Sequence, residues 1–500
     1  MRSQADPRSR ARVESPGWLP LAAAAALFGL SRLAYRAAGV RFDATPLAWF
    51  WQYVDPVLLR TDLARSLVHL HSQPPLFNLF LGLVLKACPG HLVAACEAVY
   101  ALLGLGLALA LCRVLMRLGV RREASVALAA LFAASPACVI YEHWLFYDYP
   151  VAALLCFAAL ALHGFASSGR GWAGAAFFAL LGCLALTRSL FHLAWLAVVA
   201  GLVLVGMPGR RRRVAAACAV PLLAVALWYG KNLWLFGQFT SSTWLGMNVA
   251  RITTLKVPRE RRAEMVARGT LSPLALVAPF RPLEAYEPCL APLQPAGVRV
   301  LDQRRKRIGA PNFHHAAYID VAGIYLRDAV AVVRHRPRAY LRGLFDAWVR
   351  YFMPATDYFW VRGNRQKVAG LDRAWSVALG RVRFDPWPQS EEVVSEESRR
   401  GPGRKALNAA LVLVVACPVL TVYGLVVGFR ALRRGGEGRA LGLTVLFACV
   451  TIVYVTVVGN ALEVGENHRN RFALGPLYVV LLGLFLARRL PSVAGREAEA

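Results

Sequence analysis

Long apolar runs separated by polar and basic stretches set the pattern of this chain. Runs at about 17–38, 91–112, 123–140, 150–167, 171–187, 189–207, 214–230, 406–429, 440–458 and 472–487 approach the length needed to cross a bilayer. Arg113, Arg117, Arg121 and Arg122 follow the second run, and the arginines at 210–213 follow the sixth. Arg430, Arg433, Arg434 and Arg439 follow the eighth, and Arg488 and Arg489 end the tenth. Basic residues beside short loops mark the cytoplasmic side of a membrane. Ten spans with both termini inside place every such cluster there. The pattern therefore predicts an all-α polytopic membrane protein of about ten transmembrane helices.

The polar stretches divide the rest. Residues 1–16 read as a basic cytoplasmic tail, and the first span as a retained helix, because no convincing cleavage site follows it. Residues 17–236 form an N-terminal transmembrane module whose first loop, 39–78, is rich in Asp, His and Trp. A helix over 75–88 is expected in or near the interface, with Pro74 and Pro75 tolerated at its start. Residues 237–404 contain no convincing span and are expected outside the cytoplasm. Within them, 316–352 reads as an amphipathic interfacial helix broken at Pro337. Tyr340, Leu341, Leu344, Phe345, Trp348 and Phe352 form its apolar side, with Arg338, Arg342 and Arg350 on the other. The stretch 389–404 reads as a flexible charged loop. The C-terminal helices occupy 405–490, and 491–500 is a second cytoplasmic tail.

Composition supports this reading. The chain is 57% hydrophobic and only 17% charged, unlike a soluble domain of its length. Its net charge of +29 invites a nucleic-acid reading, but many of the basic residues punctuate span ends and no nucleic-acid motif accompanies them. Most of the ten cysteines lie inside apolar runs, where they act as small hydrophobes. His69 and His71 are two apart, which on a helix points them in different directions. No metal site and no cofactor are expected.

Under this topology the ionisable loops share the non-cytoplasmic face. The first loop supplies Asp43, His71 and Gln73, and the second supplies Glu142 and Asp148. Arg188, Lys231 and Arg251 come from later loops, and His468, Arg469 and Arg471 from the last. Ionisable groups at membrane depth are functional candidates. A carboxylate at the interface can deprotonate an acceptor hydroxyl, and cations can hold a lipid phosphate and the charge that develops on it. Asp43, directly after the first span, is the expected base. Asp148 is the second catalytic carboxylate, able to orient the acceptor or a cation. Structural readings compete. Asp43 could cap a helix starting at Pro46, and Asp55 reads as a cap before Pro56.

Asp43 after the first span, Gln73-Pro74-Pro75-Leu76, Ser135-Pro136 with Asp148-Tyr149-Pro150, and the run from Glu466 to Arg471 together carry a resemblance. In their order and placement the chain resembles the GT-C integral-membrane glycosyltransferases. The nearest group is the bacterial one similar to protein mannosyltransferases and aminoarabinose transferases (family 39 and its relatives). The resemblance covers about 17–250 and 406–490, and residues 237–404 lie largely outside it. Ala44 stands where that family often has a second acidic residue. The resemblance implies inverting sugar transfer from a polyprenyl-phosphate donor to a lipid, glycan or protein acceptor at the outer face of a bacterial plasma membrane. It implies the first-loop Asp as base, at the rim of a sugar-sized cavity, and no required metal. Two other classes stay open: a transporter or flippase of polyprenyl-linked glycans, and a non-catalytic envelope-assembly protein. A transporter should carry charge within its spans.

Overall fold

The computed structural model describes residues 17–384, 407–436 and 438–489. The expected tails at 1–16 and 491–500 and the expected loop at 389–404 lie outside them. The described chain is mostly helical. One two-stranded antiparallel ribbon pairs Arg381–Phe384 with Leu407–Ala410, Arg381 opposite Ala410.

Each of the ten predicted runs appears as helix. They are α1 (Leu19–Ala37), α3 (Leu92–Arg117), α4 with α5 (Arg122–Ala133 and Pro136–Glu142), α6 (Asp148–Ser168), α7 (Gly171–Thr187), α8 (Leu193–Gly206), α9 (Arg211–Phe236), α13 (Leu411–Arg434), α14 (Gly438–Leu462) and α15 with α16 (Asn467–Ala473 and Gly475–Arg489). The expected interfacial helix is α2 (Leu76–Ala87). Residues 237–384 contribute α10 (Leu245–Ile252), α11 (Ala317–His335) and α12 (Pro337–Tyr351), together with the helices Arg259–Ala267 and Ala369–Ala378 and several short turns.

Among the described residues, five helices are long and apolar enough to cross a membrane: α3, α6, α9, α13 and α14. The number rises to seven if each bent pair is one span. The helices α7 and α8 are apolar but short, and α1, which carries Arg32 and Arg36, is not among the seven. The structure thus has the helices of a multi-pass membrane protein. No helix of 237–384 is among these spans, in keeping with the expected interruption.

Both bends have a chemical cause. Between α4 and α5 the axis turns by 58°. Pro136 cannot donate to the preceding turn, and Ser135 caps the new helix with Oγ 3.3 Å from the Cys138 amide. Between α15 and α16 the turn is 56°, at Leu474 just before Gly475 and Pro476. The buried core runs through the apolar bundle, with α6 at its centre against α3, α7 and α14.

Residues 244–325 build a second, aromatic core from Trp244, Phe280, Tyr286, Phe313, Tyr318 and Tyr325. It depends on close backbone approach. A Cβ on Gly246 of α10 would sit 1.8 Å from the Ala322 carbonyl oxygen of α11. One on Gly343 of α12 would sit 1.9 Å from the Ile252 carbonyl oxygen. Glycine at both positions lets α10 wedge between α11 and α12.

The face of α12 differs from its expectation. Leu341, Phe345 and Trp348 are exposed, and Arg350 is buried. Arg338 and Arg342 lie on the exposed side with the apolar residues rather than opposite them. The side that carries Arg350 is turned inward, where α12 packs on α15.

Candidate functional site

The first and second loops are tied together at Asp43. Its amide donates to the His143 carbonyl at 2.8 Å, and its carbonyl accepts from the Leu145 amide at 2.9 Å. This short parallel bridge fixes Asp43 beside Trp144. The Asp43 carboxylate is half-buried. Its Oδ1 accepts the Thr45 amide at 2.9 Å, a local turn that leads into the short helix Pro46–Trp49. Oδ2 makes no hydrogen bond among the described residues. So Asp43 closes the turn ahead of this helix rather than capping it, the N-cap being Thr45, and its second oxygen has no partner among the described residues. Asn364 lies over the same point, donating to the Arg41 carbonyl at 2.8 Å and the His143 carbonyl at 3.4 Å. Asp55 is a cap: its Oδ1 accepts Val57 N and its Oδ2 accepts Arg307 N.

Asp148, at the first turn of α6, is fully buried. Arg188, just past α7, donates to its Oδ1 at 2.7 Å, and Arg469 of α15 approaches Oδ2 at 3.5 Å. Arg188 also donates to Asn470, and Arg469 to Glu466. Tyr358 donates to the same Glu466 at 2.7 Å. The Arg469 guanidinium lies between two rings, 4.8 Å from the Phe146 centroid and 4.6 Å from that of Tyr358. Residues far apart in sequence thus meet in one buried ionic cluster.

That cluster has unspent donors. Arg469 Nε, Asn470 Nδ2 and the two ring nitrogens of His468, one N–H donor and one acceptor in the neutral ring, are buried with no hydrogen-bond partner among the described residues, while Arg469 Nη1 and Asp148 Oδ2 meet only as the 3.5 Å ion pair. Buried polar groups are normally satisfied, and each exception asks for a reason. Between this cluster and Asp43 lies an aromatic wall. Trp144 stacks on Phe146 at 4.7 Å and meets Tyr358 at 5.5 Å and Phe50 at 5.4 Å.

Four predicted binding residues are engaged elsewhere. Glu142 receives two hydrogen bonds from Arg32 of α1, at 2.8 and 2.5 Å, and one from Tyr149 at 2.5 Å. Lys231 donates to the Leu70 carbonyl at 2.8 Å and sits 3.7 Å from the Trp228 ring centroid. Arg471 caps the end of α12 through the Tyr351 and Met353 carbonyls, at 2.8 and 2.7 Å. His71 is buried between Thr243 Oγ1 at 2.7 Å and the His314 carbonyl at 2.9 Å. Burial lowers its pKa to about 4, so at neutral pH it is an uncharged brace. Gln73 is buried beside it in sequence. Arg251, at the end of α10, lays its guanidinium against Gly465 of the last loop, next to the ionic cluster's Glu466.

Of the predicted set, the structure therefore brings Asp148, Arg188, Arg469 and His468 together, with Arg251 at the edge. Asp43 stands apart, across the aromatic wall. Sequence reading missed Arg32, Tyr358, Asn364 and Asn470. Arg32 had a signal, a cation inside an apolar run. Asn470 lay unremarked within the run from Glu466 to Arg471, and Tyr358 and Asn364 had no signal, because their roles depend on partners more than a hundred residues away. Reading also missed the clamp on the first loop. Lys306 donates to the Phe50 carbonyl at 2.6 Å, Ser72 pairs with His314 at 2.5 Å, and Ser242 donates to the Ser72 carbonyl at 2.5 Å. The expected sugar-sized cavity at Asp43 does not coincide with the cleft of about 430 Å³ between Lys256 and Arg342, which none of these residues lines. No group of three or more His, Cys, Asp or Glu among the described residues is placed to hold a metal ion.

No protein-family model, curated protein or solved structure matches this chain.

Proposed function

We propose that the chain is a GT-C-like membrane glycosyltransferase, with ten spans in the bilayer and its loop cluster on the non-cytoplasmic side. It transfers a sugar from a polyprenyl-phosphate donor to an envelope acceptor. The observation that supports this reading is the set of buried, unspent donors on Arg469, His468 and Asn470, beside a second guanidinium on the same carboxylate. Such a set suits phosphate oxygens, which accept several charge-assisted hydrogen bonds at once. Asp148 is then a positioning residue that holds both guanidinium groups.

In this reaction the acceptor oxygen attacks the anomeric carbon from the face opposite the phosphate. The carbon–oxygen bond to phosphate breaks, and its electron pair leaves with polyprenyl phosphate. For the acceptor proton to pass to Asp43 Oδ2, the sugar has to bridge the aromatic wall of Trp144, Phe146 and Tyr358 that separates Asp43 from the phosphate-binding cluster. Arg188 and Arg469 offset the charge that builds on the departing phosphate.

Sugar release from labelled polyprenyl phosphate, measured in membranes, tests the reading. Asp43→Asn should lower transfer by roughly 10²-fold or more while insertion is unchanged. Full turnover by Asp43→Asn and by Arg469→Gln together would sink the mechanism. One feature favours a transporter instead: a charge pair joins helices of the bundle, buried Glu142 of α5 with partly buried Arg32 of α1. If Glu142→Gln abolished lipid-linked glycan translocation in vesicles while Asp43→Asn had no effect on any transfer, that second reading would stand.

A further inference from the structure

Where α11 turns into α12, a cleft of about 430 Å³ opens against residues 256–261. Lys256, Arg261, His335, Arg336, Arg338 and Arg342 line it, and no carboxylate does. Two of those cations are already paired, Lys256 with Asp346 at 2.5 Å and Arg261 with Glu264 at 2.8 Å, so the charge of the mouth is that of Arg336, Arg338 and Arg342. His335, Arg336, Arg338 and Arg342 are exposed at the mouth. A concave surface lined by one sign of charge concentrates ions of the other.

The cleft is continuous with an apolar face. Along α12, Arg338, Arg342 and Phe345 follow at i, i+4 and i+7, with Leu341 and Trp348 beside them. Leu341 is 61% exposed, and Phe345 and Trp348 are each 39% exposed. Cations at a concave mouth and large apolar side chains running away from it match a ligand with an anionic head and a hydrocarbon body. The chain's own apolar helices place it in a medium made of such molecules.

We infer that the α11–α12 cleft binds the phosphate headgroup of an anionic phospholipid, with Leu341, Phe345 and Trp348 against its acyl chains. The site is separate from the ionic cluster at Asp148 and does not depend on glycosyl transfer. Binding would seat the 237–384 region on the membrane surface and hold the clamp on the first loop in register.

The test uses the full chain, delipidated in detergent and titrated with dioctanoyl phosphatidylglycerol, dioctanoyl phosphatidylcholine or inorganic diphosphate, with bound ligand counted by native mass spectrometry. Phosphatidylglycerol should bind more tightly than phosphatidylcholine. The combined variant Arg336→Gln, Arg338→Gln, Arg342→Gln should weaken phosphatidylglycerol by about tenfold or more, whereas Lys at the same three positions should retain most binding. Leu341→Gln with Trp348→Gln should weaken the lipid and leave diphosphate unchanged. Equal binding of the two lipids, or no loss in the Gln variant, would overturn the assignment. Diphosphate binding as tightly as phosphatidylglycerol would overturn the lipid and leave a soluble phosphorylated ligand.

Discussion

Asp148 shows how a single carboxylate can organise residues drawn from three parts of the chain. It is fully buried and faces two guanidinium groups. Removing one member of such a set leaves charge buried without compensation. Asp148→Asn should therefore destabilise the protein by about 3–5 kcal/mol, read as a lower melting temperature in detergent. Asp43→Asn should leave that temperature nearly unchanged, since the side chain is half-exposed and makes one local contact. Equal losses in both variants would contradict the division between a positioning and a reacting carboxylate. His71 gives a pH signature. Its folded pKa of about 4 lies below the ordinary 6.5 because burial disfavours the imidazolium. The unfolded chain thus takes up a proton that the folded chain refuses between those values. Stability is full above about 6.5 and falls as the pH drops towards about 4. His71→Gln should flatten melting temperature against pH in that window. An unchanged slope would mean that other groups carry it.

At the scale of elements, the apolar runs announce the helices because few other structures can satisfy so many backbone groups in hydrocarbon. Ser135-Pro136 carries the chemistry of a break, but the apolar run across it predicts one straight span; Gly475-Pro476 opens the last span, and the polar stretch before it, read as loop, is the helix α15. Close packing was harder to read. Gly246 and Gly343 look like ordinary glycines, and only the crossing of α10 with α11 and α12 gives them a purpose. Gly246→Leu should cost about 1–3 kcal/mol or more by overpacking, and should loosen the region that clamps the first loop. Limited proteolysis of 237–384 checks this. A variant as resistant as the wild type would show that α10 can move aside. The helix α12 misled for a related reason: spacing gives the faces of a helix, but not which face the fold will bury.

For the molecule as a whole, the expected topology makes a direct prediction. With Cys88, Cys183 and Cys289 replaced by Ser, a membrane-impermeant maleimide added outside should label Arg299→Cys and spare Gly436→Cys. The reverse pattern would invert the assignment and put the loop cluster on the cytoplasmic side. A second consequence concerns the first loop. Its residues from Phe50 to Ser72 are held by Lys306, Arg307, His314 and Ser242, so the large polar region acts as part of the candidate site rather than as an appendage.

The sequence by itself determined the class of the protein and the position of its helices. These follow from local facts: the length of an apolar run, its flanking arginines, and a proline or serine where a helix must break. It also marked Asp43, Asp148, Arg188, His468 and Arg469 as the kinds of residue that do chemistry at a membrane surface. Only the tertiary structure decided which of them meet. Asp148 and Arg188 are separated by 40 residues, and Arg188 and Asn470 by 282. No local pattern encodes a contact of that span. Glu142, Lys231 and Arg471 looked equivalent to the rest as charges, yet the fold spends them on Arg32, a carbonyl of the first loop and the end of α12. A charge in sequence has a sign and a position, whereas its role depends on whether packing brings it an opposite charge, a carbonyl or an open cleft.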